Sequence, residues 1–321
     1  MKFFWQIALW SGFAIGFNPV MQAQALENPK IKHILVIGVD GMSPDGIRNA
    51  PTPAMDQLMQ RGSYSFHARA VLPSSSSPNW ASMIMGAGPE QHGITSNDWE
   101  KDRYTLPFSA ENEFHHFPTI FYLIYKHDPK SEIGAIYHWE GFGRLVEPEV
   151  LDFNRHEETE DLTIATACTY LREKRPDFCF IHLDHVDHAG HTFGHGSSEY
   201  YASVAKADSL ISQVIRVLEQ TGLRDSTLIL LTADHGGTGK VHGGESLAEM
   251  EIPFILNGPG VKVGYVIESP VNTTDNAATL AWAWGLEIPY VWIGKPVKEA
   301  FEGFLAPQQS YTRGKELKTK E

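Results

Sequence analysis

Apolar positions along the chain alternate between two kinds of run. Short continuous stretches rich in β-branched residues read as strands buried on both faces. They are IKHILVIGV (31–39), DFCFIHL (177–183), STLILLTA (226–233) and IPFIL (252–256). SYSFHARAVL (63–72) and EIGAIYHW (132–139) read as further strands. Between them lie amphipathic stretches, the longest predicted as a helix over about Ser198 to Gln220, with Val204, Leu210, Ile211, Val214, Ile215 and Leu218 near helical spacing. Shorter helices are predicted over Pro53–Arg61, Pro78–Met85, 118–127, Glu158–Lys174 and Asn276–Trp284. This alternation predicts an α/β fold with a mostly parallel sheet covered on both faces. Residues 86–117 are irregular, rich in Gly, Pro, His and acids.

Length and charge narrow the picture. The 321 residues, 42% of them apolar, suffice for one large α/β domain, expected over 30–305 with segments of 86–155 forming cap loops. Residues 1–25 read as a secretory signal. Lys2 precedes an apolar core (3–17), and MQAQA offers small residues for cleavage after Ala23 or Ala25. Export to the periplasm or the extracellular space is therefore expected, with no membrane span in the mature chain. The tail 306–321 is polar. The net charge of −13 argues against a nucleic-acid polymer as partner. A small anionic ester remains compatible, provided bound cations reverse the local field. Cys168 and Cys179 are expected on a helix and the next strand, as a bridge or as two buried thiols.

Three buried strands run directly into acids: Asp40 after the first, Asp234 with His235 after STLILLTA, and the histidine-rich FCFIHLDHVDHAGHTFGHG (178–196). Ligands of open α/β sheets bind beyond the carboxyl ends of the strands, so these groups are predicted to converge. Any one Asp suits a helix cap. Several carboxylates crowded together repel unless a cation neutralises them. Histidine nitrogen with carboxylate oxygen suits zinc, with manganese as the alternative. His242, between glycines seven residues after His235, joins the candidates. The histidine-rich segment offers two D-x-x-x-H registers, Asp184/His188 and Asp187/His191, and spacing alone does not choose between them.

LPSSSSPNWASM (72–83) supplies a candidate nucleophile. Ser77 is read as the N-cap of the helix that Pro78 begins, with Ser76 one step outside its positive end. Bound metal would lower the pKa of such a hydroxyl. No G-x-S-x-G elbow and no P-loop occurs.

Taken in order, VIGVDGM, SSPNWASMIMGAGPEQHGI, DHAGH, TADHGG and HGG resemble the alkaline phosphatase superfamily. Within it, the chain resembles the type I phosphodiesterase/nucleotide pyrophosphatase branch. The resemblance implies an alkaline-phosphatase-like three-layer sandwich, two closely spaced zinc ions and a covalent phospho-serine intermediate. It assigns the D-x-x-G-H register to Asp187 and His191, which with His242 would hold the first metal. Asp40, Asp234, His235 and the Ser76 oxygen would hold the second. Ser76 would be the nucleophile, and Asn79 would help bind a phosphoryl oxygen. Asp184, His182, His185, His188 and His195 would then stand behind the ligands or on the surface. The family's nucleophile is commonly Thr in nucleotide pyrophosphatases and is Ser here. The sulfatase pattern fails at Trp80, where Arg would stand, and no Arg lies in 74–90, which leans toward diesters. Trp80, Trp99, Tyr104, Trp139 and Phe142 are candidates for a leaving-group pocket. The expected activity is phosphate-ester hydrolysis. The alternatives are a monoesterase or sulfatase of the same superfamily, or an exported zinc-binding protein without turnover.

Overall fold

The computed structural model describes Met1 and residues 31–307; the predicted signal segment and nearly all of the polar tail lie outside the described residues. The strands are β1 (His33–Val39), β2 (Ser63–Arg69), β3 (Ile133–Tyr137), β4 (Phe153–His156), β5 (Phe178–Leu183), β6 (Thr227–Thr232), β7 (Glu251–Asn257) and β8 (Tyr265–Val266). Together they form one sheet in the order β4-β3-β5-β1-β6-β7-β2-β8. The β3, β4, β5, β1 and β6 strands are parallel. β7 runs antiparallel to both β6 and β2. The fold is thus α/β with a mixed, mostly parallel sheet. β1, β5 and β6 hold the centre and are buried along nearly their whole length, as their uninterrupted apolar runs require.

Helices cover both faces. The 23-residue helix Ser198–Gln220 packs against Glu160–Lys174, His185–Phe193, Pro53–Gln60 and Pro44–Asn49. Ser76–Met85 packs against Asp275–Ala283, Ile120–His127 and the 3-10 turn Glu140–Leu145. The Trp80 indole lies on the carboxyl end of β1, where a Cβ on Gly38 would stand 2.5 Å from the ring. Only glycine at 38 admits this packing, and Trp80 is fully buried against Phe142, Phe180 and His182.

Several expectations change. The histidine-rich segment, for which no helix was predicted, forms one over His185–Phe193. Helix Ser76–Met85 begins two residues early, with Ser75 at the N-cap, so Ser77 is a first-turn residue and not the cap. Trp80, Trp99 and Phe142 are core residues, leaving Trp139 and Tyr104 accessible. Cys168 and Cys179 occupy a helix and β5 as expected, and both are buried free thiols. Among the described residues, no helix is long and apolar enough to cross a membrane.

Candidate metal centre and nucleophile

The carboxyl ends of β1, β5 and β6 lie side by side, so the residues that follow them share one edge. Asp40 follows β1 directly, and Asp234 and His235 stand just beyond β6. Helix His185–Phe193 follows β5 and projects Asp187 and His191, one turn apart, from the same face. His242 arrives from the glycine-rich loop beyond β6. The structure therefore brings together two groups: Asp187, His191 and His242, and Asp40, Asp234 and His235. Within each group, one donor atom per residue lies within 4.8 Å of the others. The two groups adjoin, since the His235 and His242 rings stack at 3.8 Å.

The hydrogen bonds behind these residues orient them inward. His191 Nδ1 pairs with the Lys240 carbonyl at 2.9 Å, His242 Nδ1 with Ser74 at 3.0 Å, and His235 Nδ1 with Gly236 at 2.8 Å. A carbonyl only accepts, so each Nδ1 carries the proton and each Nε2 presents a lone pair. Those Nε2 atoms converge: His191 and His242 are 3.1 Å apart, and His235 Nε2 is 3.1 Å from Asp234 Oδ2 and 3.4 Å from Asp40 Oδ1. The carboxylates are held from behind as well. Asp40 Oδ2 accepts from the Trp80 indole at 2.9 Å and lies 3.3 Å from His182 Nε2. Asp234 Oδ1 accepts from the Gly41 N–H at 3.1 Å.

What remains on the inner side is unsatisfied. Asp40 Oδ1, Asp187 Oδ1 and Asp234 Oδ2 are buried without a hydrogen-bond partner. Burial, reinforced by one another's charge, pushes Asp40 and Asp234 well above the usual carboxylate range and Asp187 up to about 7. Burial, with the nearby His235, pulls His242 down to about 3, so its imidazole is neutral. Orphaned carboxylate oxygens facing neutral imidazole lone pairs are a donor set suited to divalent cations of the zinc type.

Ser76 opens its helix beside the second group, 6% exposed, with Oγ 3.3 Å from His235 Nε2. Asn79 has a different place from the one the resemblance implies. It is fully buried, its Oδ1 accepts from Val71 N at 2.7 Å, and its Nδ2 donates to the carbonyls of Val71, Pro73 and Ser75. Its amide is spent on holding the serine-rich turn. An amide that sequence reasoning missed, Asn97, is exposed and anchored by Ser77 N–H donating to its Oδ1 at 2.8 Å. Arg144 fixes the Asn97 loop by donating to the carbonyls of Asn97 and Trp99 and to Glu100. Asn97 sits inside HGITSNDWE, a loop whose irregularity was its only signal.

His182 stands behind Asp40, and His195 Nε2 lies 4.0 Å from Asp187 Oδ1. Asp184 and His188 belong to neither group.

The fold recurs in solved structures of other hydrolases. Murine ectonucleotide pyrophosphatase/phosphodiesterase 5, solved in one form as an inactive variant with AMP, superposes with a TM-score of 0.68 at 17% identity, over 80% of this chain and 96% of that one. The phosphonate monoester hydrolase of Agrobacterium radiobacter gives 0.68 at 15% identity, over 88% and 79%. The chain belongs to the type I phosphodiesterase / nucleotide pyrophosphatase family, whose model matches residues 34–252. Ectonucleotide pyrophosphatase/phosphodiesterase family member 1 of Mus musculus is 26% identical over 57% of this chain and 21% of its own length. A bis(5'-adenosyl)-triphosphatase of Homo sapiens is 24% identical over 72% of this chain and 52% of its own. The chain thus matches between a fifth and about half of the length of these curated relatives.

Proposed function

We propose that this protein is a phosphoric ester hydrolase that acts on small phosphodiesters through Ser76. The observation that carries the reading is the Ser76 hydroxyl, on the first turn of a helix and 3.3 Å from His235 Nε2, at the border of the two donor groups. Asp187, His191 and His242 would hold one divalent cation and Asp40, Asp234 and His235 the other, with zinc suited to the nitrogen and oxygen donors. Bound there, such ions supply charge stabilisation and an acidified nucleophile.

The chain's own residues do the rest. Ser76 Oγ attacks phosphorus and gives up its proton as the new P–O bond forms. The ester oxygen leaves, and a proton from solvent completes the departing alcohol. Water then attacks the phosphoseryl group, the P–Oγ bond breaks, and Ser76 takes back a proton. The start of helix Ser76–Met85 favours the anionic group throughout. Asn97, its oxygen already committed to Ser77 N–H, presents its NH₂ toward a phosphoryl oxygen, a role for which Asn79 has no donor to spare. The absence of an arginine in 74–90 favours an ester with one charge fewer than a monoester. The relatives' names speak of nucleotide substrates, and a nucleotide diester is the first class to try. We further infer export, which N-terminal sequencing of the mature protein, starting after Ala23 or Ala25, would check.

The test compares wild type with Ser76→Ala on bis-p-nitrophenyl phosphate, p-nitrophenyl phosphate and p-nitrophenyl sulfate, with metal content measured alongside. The diester is expected to be the best substrate, and Ser76→Ala to lose at least about a thousandfold in kcat with metal content retained. Undiminished hydrolysis by Ser76→Ala would reject the nucleophile. A wild-type protein that binds metal and hydrolyses none of the three would favour metal capture instead.

A further inference from the structure

Helix His185–Phe193 uses one D-x-x-x-H register, Asp187/His191, in the centre described above. The other, Asp184/His188, is carried on a neighbouring face. That face opens on a separate cavity of about 530 Å³, lined also by His138, His185 and Glu160. We propose that this cavity is an accessory site for a divalent transition-metal ion, with Asp184, His185 and His188 as donors and His138 as a fourth from the β3 side.

The state of His185 supports this. Its residue is 8% exposed, yet both ring nitrogens are buried without a hydrogen-bond partner. A core imidazole at rest has at least one nitrogen satisfied, because an unpaired polar atom away from water costs stability. His138 Nδ1, on the same cavity, is likewise buried and unpaired.

The wall's charge selects the class of ligand. Asp184, Glu160 and Glu199 line the cavity and disfavour an anion. Lys206, the lysine on that wall, is committed to Glu160 and Asp161. Two or three imidazoles with one carboxylate fit zinc, cobalt or nickel and suit calcium or magnesium poorly, which take oxygen. No three of these four donors bring their ligand atoms within 4.8 Å of one another as the two catalytic groups do, so their side chains must rotate toward a common ion. His182 lies between the two regions, its Nε2 3.3 Å from Asp40 Oδ2.

The inference does not depend on the phosphodiesterase reading, and the experiment keeps the two apart. Full-length protein stripped with chelator is titrated with Co²⁺. Bound metal is counted by equilibrium dialysis, and the visible d–d absorption is followed. His185→Ala, and separately the double variant Asp184→Asn/His188→Ala, are expected to bind one equivalent fewer than wild type. Both should hydrolyse bis-p-nitrophenyl phosphate within about threefold of wild type. The double variant changes less-buried positions and carries the test should His185→Ala fold poorly. Equal stoichiometry in wild type and the double variant would overturn the proposal. One equivalent fewer in the variants, with no ester hydrolysis by any form, would support the accessory site while sinking the functional reading.

Discussion

At the scale of single residues, the centre is defined by what its side chains lack. Three carboxylates are buried beside one another with an oxygen each left unpaired. An unfolded aspartate releases its proton near pH 3.9, whereas folded, cation-free Asp187 holds it to about 7, and burial raises Asp40 and Asp234 well above the ordinary range as well. Across that window the folded state binds more protons than the unfolded one, so stability falls as pH rises. Thermal melts in chelator from pH 5 to pH 8 should show a declining Tm, and saturating Zn²⁺ should flatten the decline. A Tm in chelator that rises over this range would contradict the orphaned-carboxylate picture. The two asparagines separate structure from chemistry. Asn97→Ala should lower kcat by about 10²-fold with little change in Tm. Asn79→Ala should destabilise by about 1–3 kcal/mol, because it strips the partners from buried carbonyls and the Val71 N–H. The acids were legible in the sequence because they end apolar strands, a position with few structural uses. Asn79 was misread because an amide in a first turn looks free until its partners are seen.

Elements were legible in proportion to their burial. The central strands and the helix Ser198–Gln220 stand where their apolar runs placed them, since a core on both faces or one amphipathic stripe leaves a strong periodic trace. The edge strands β4 and β8 leave none, being four and two residues long and largely accessible. Helix His185–Phe193 was not predicted because it is only nine residues long and dense in histidine, with few apolar positions to mark its period. Nor did the sequence reveal how Pro53–Gln60 is capped. Thr52 makes no side-chain cap, and Asp208, from the middle of the long helix, accepts from the N–H groups of Ala54 and Met55 at 3.1 and 2.8 Å. Asp208→Ala should therefore cost about 2–3 kcal/mol in denaturant melts, far more than an exposed helical Asp would. A loss under 0.5 kcal/mol would show that solvent replaces it.

For the molecule as a whole, the proposed cations join segments that the sheet alone leaves independent. Their ligands come from β1, β6, the helix after β5 and the 242 loop, with up to 202 positions of chain between Asp40 and His242. An ion that binds only the folded chain stabilises it by mass action, about 2.7 kcal/mol at a concentration of 100 Kd. Asp234→Asn should thus have opposite effects in two conditions. It removes a buried, unpaired carboxylate and should raise the Tm in chelator, and it should abolish most of the rise that Zn²⁺ gives wild type. A variant less stable than wild type in both conditions would mean that Asp234 serves the fold in its own right. Parallel order among β3, β5, β1 and β6 followed from the alternation of strand and helix patterns. The antiparallel β7 did not, because IPFIL carries no mark of direction.

The Gly38–Trp80 contact has an optical consequence. Because position 38 has no side chain, a large fluorophore lies across the sheet with its N–H bonded to Asp40, one of the proposed ligands. Ion capture at Asp40 should therefore alter the emission and near-ultraviolet dichroism of this one indole among the chain's eight tryptophans. The change should vanish in Trp80→Phe, so the protein carries its own spectroscopic gauge of the centre.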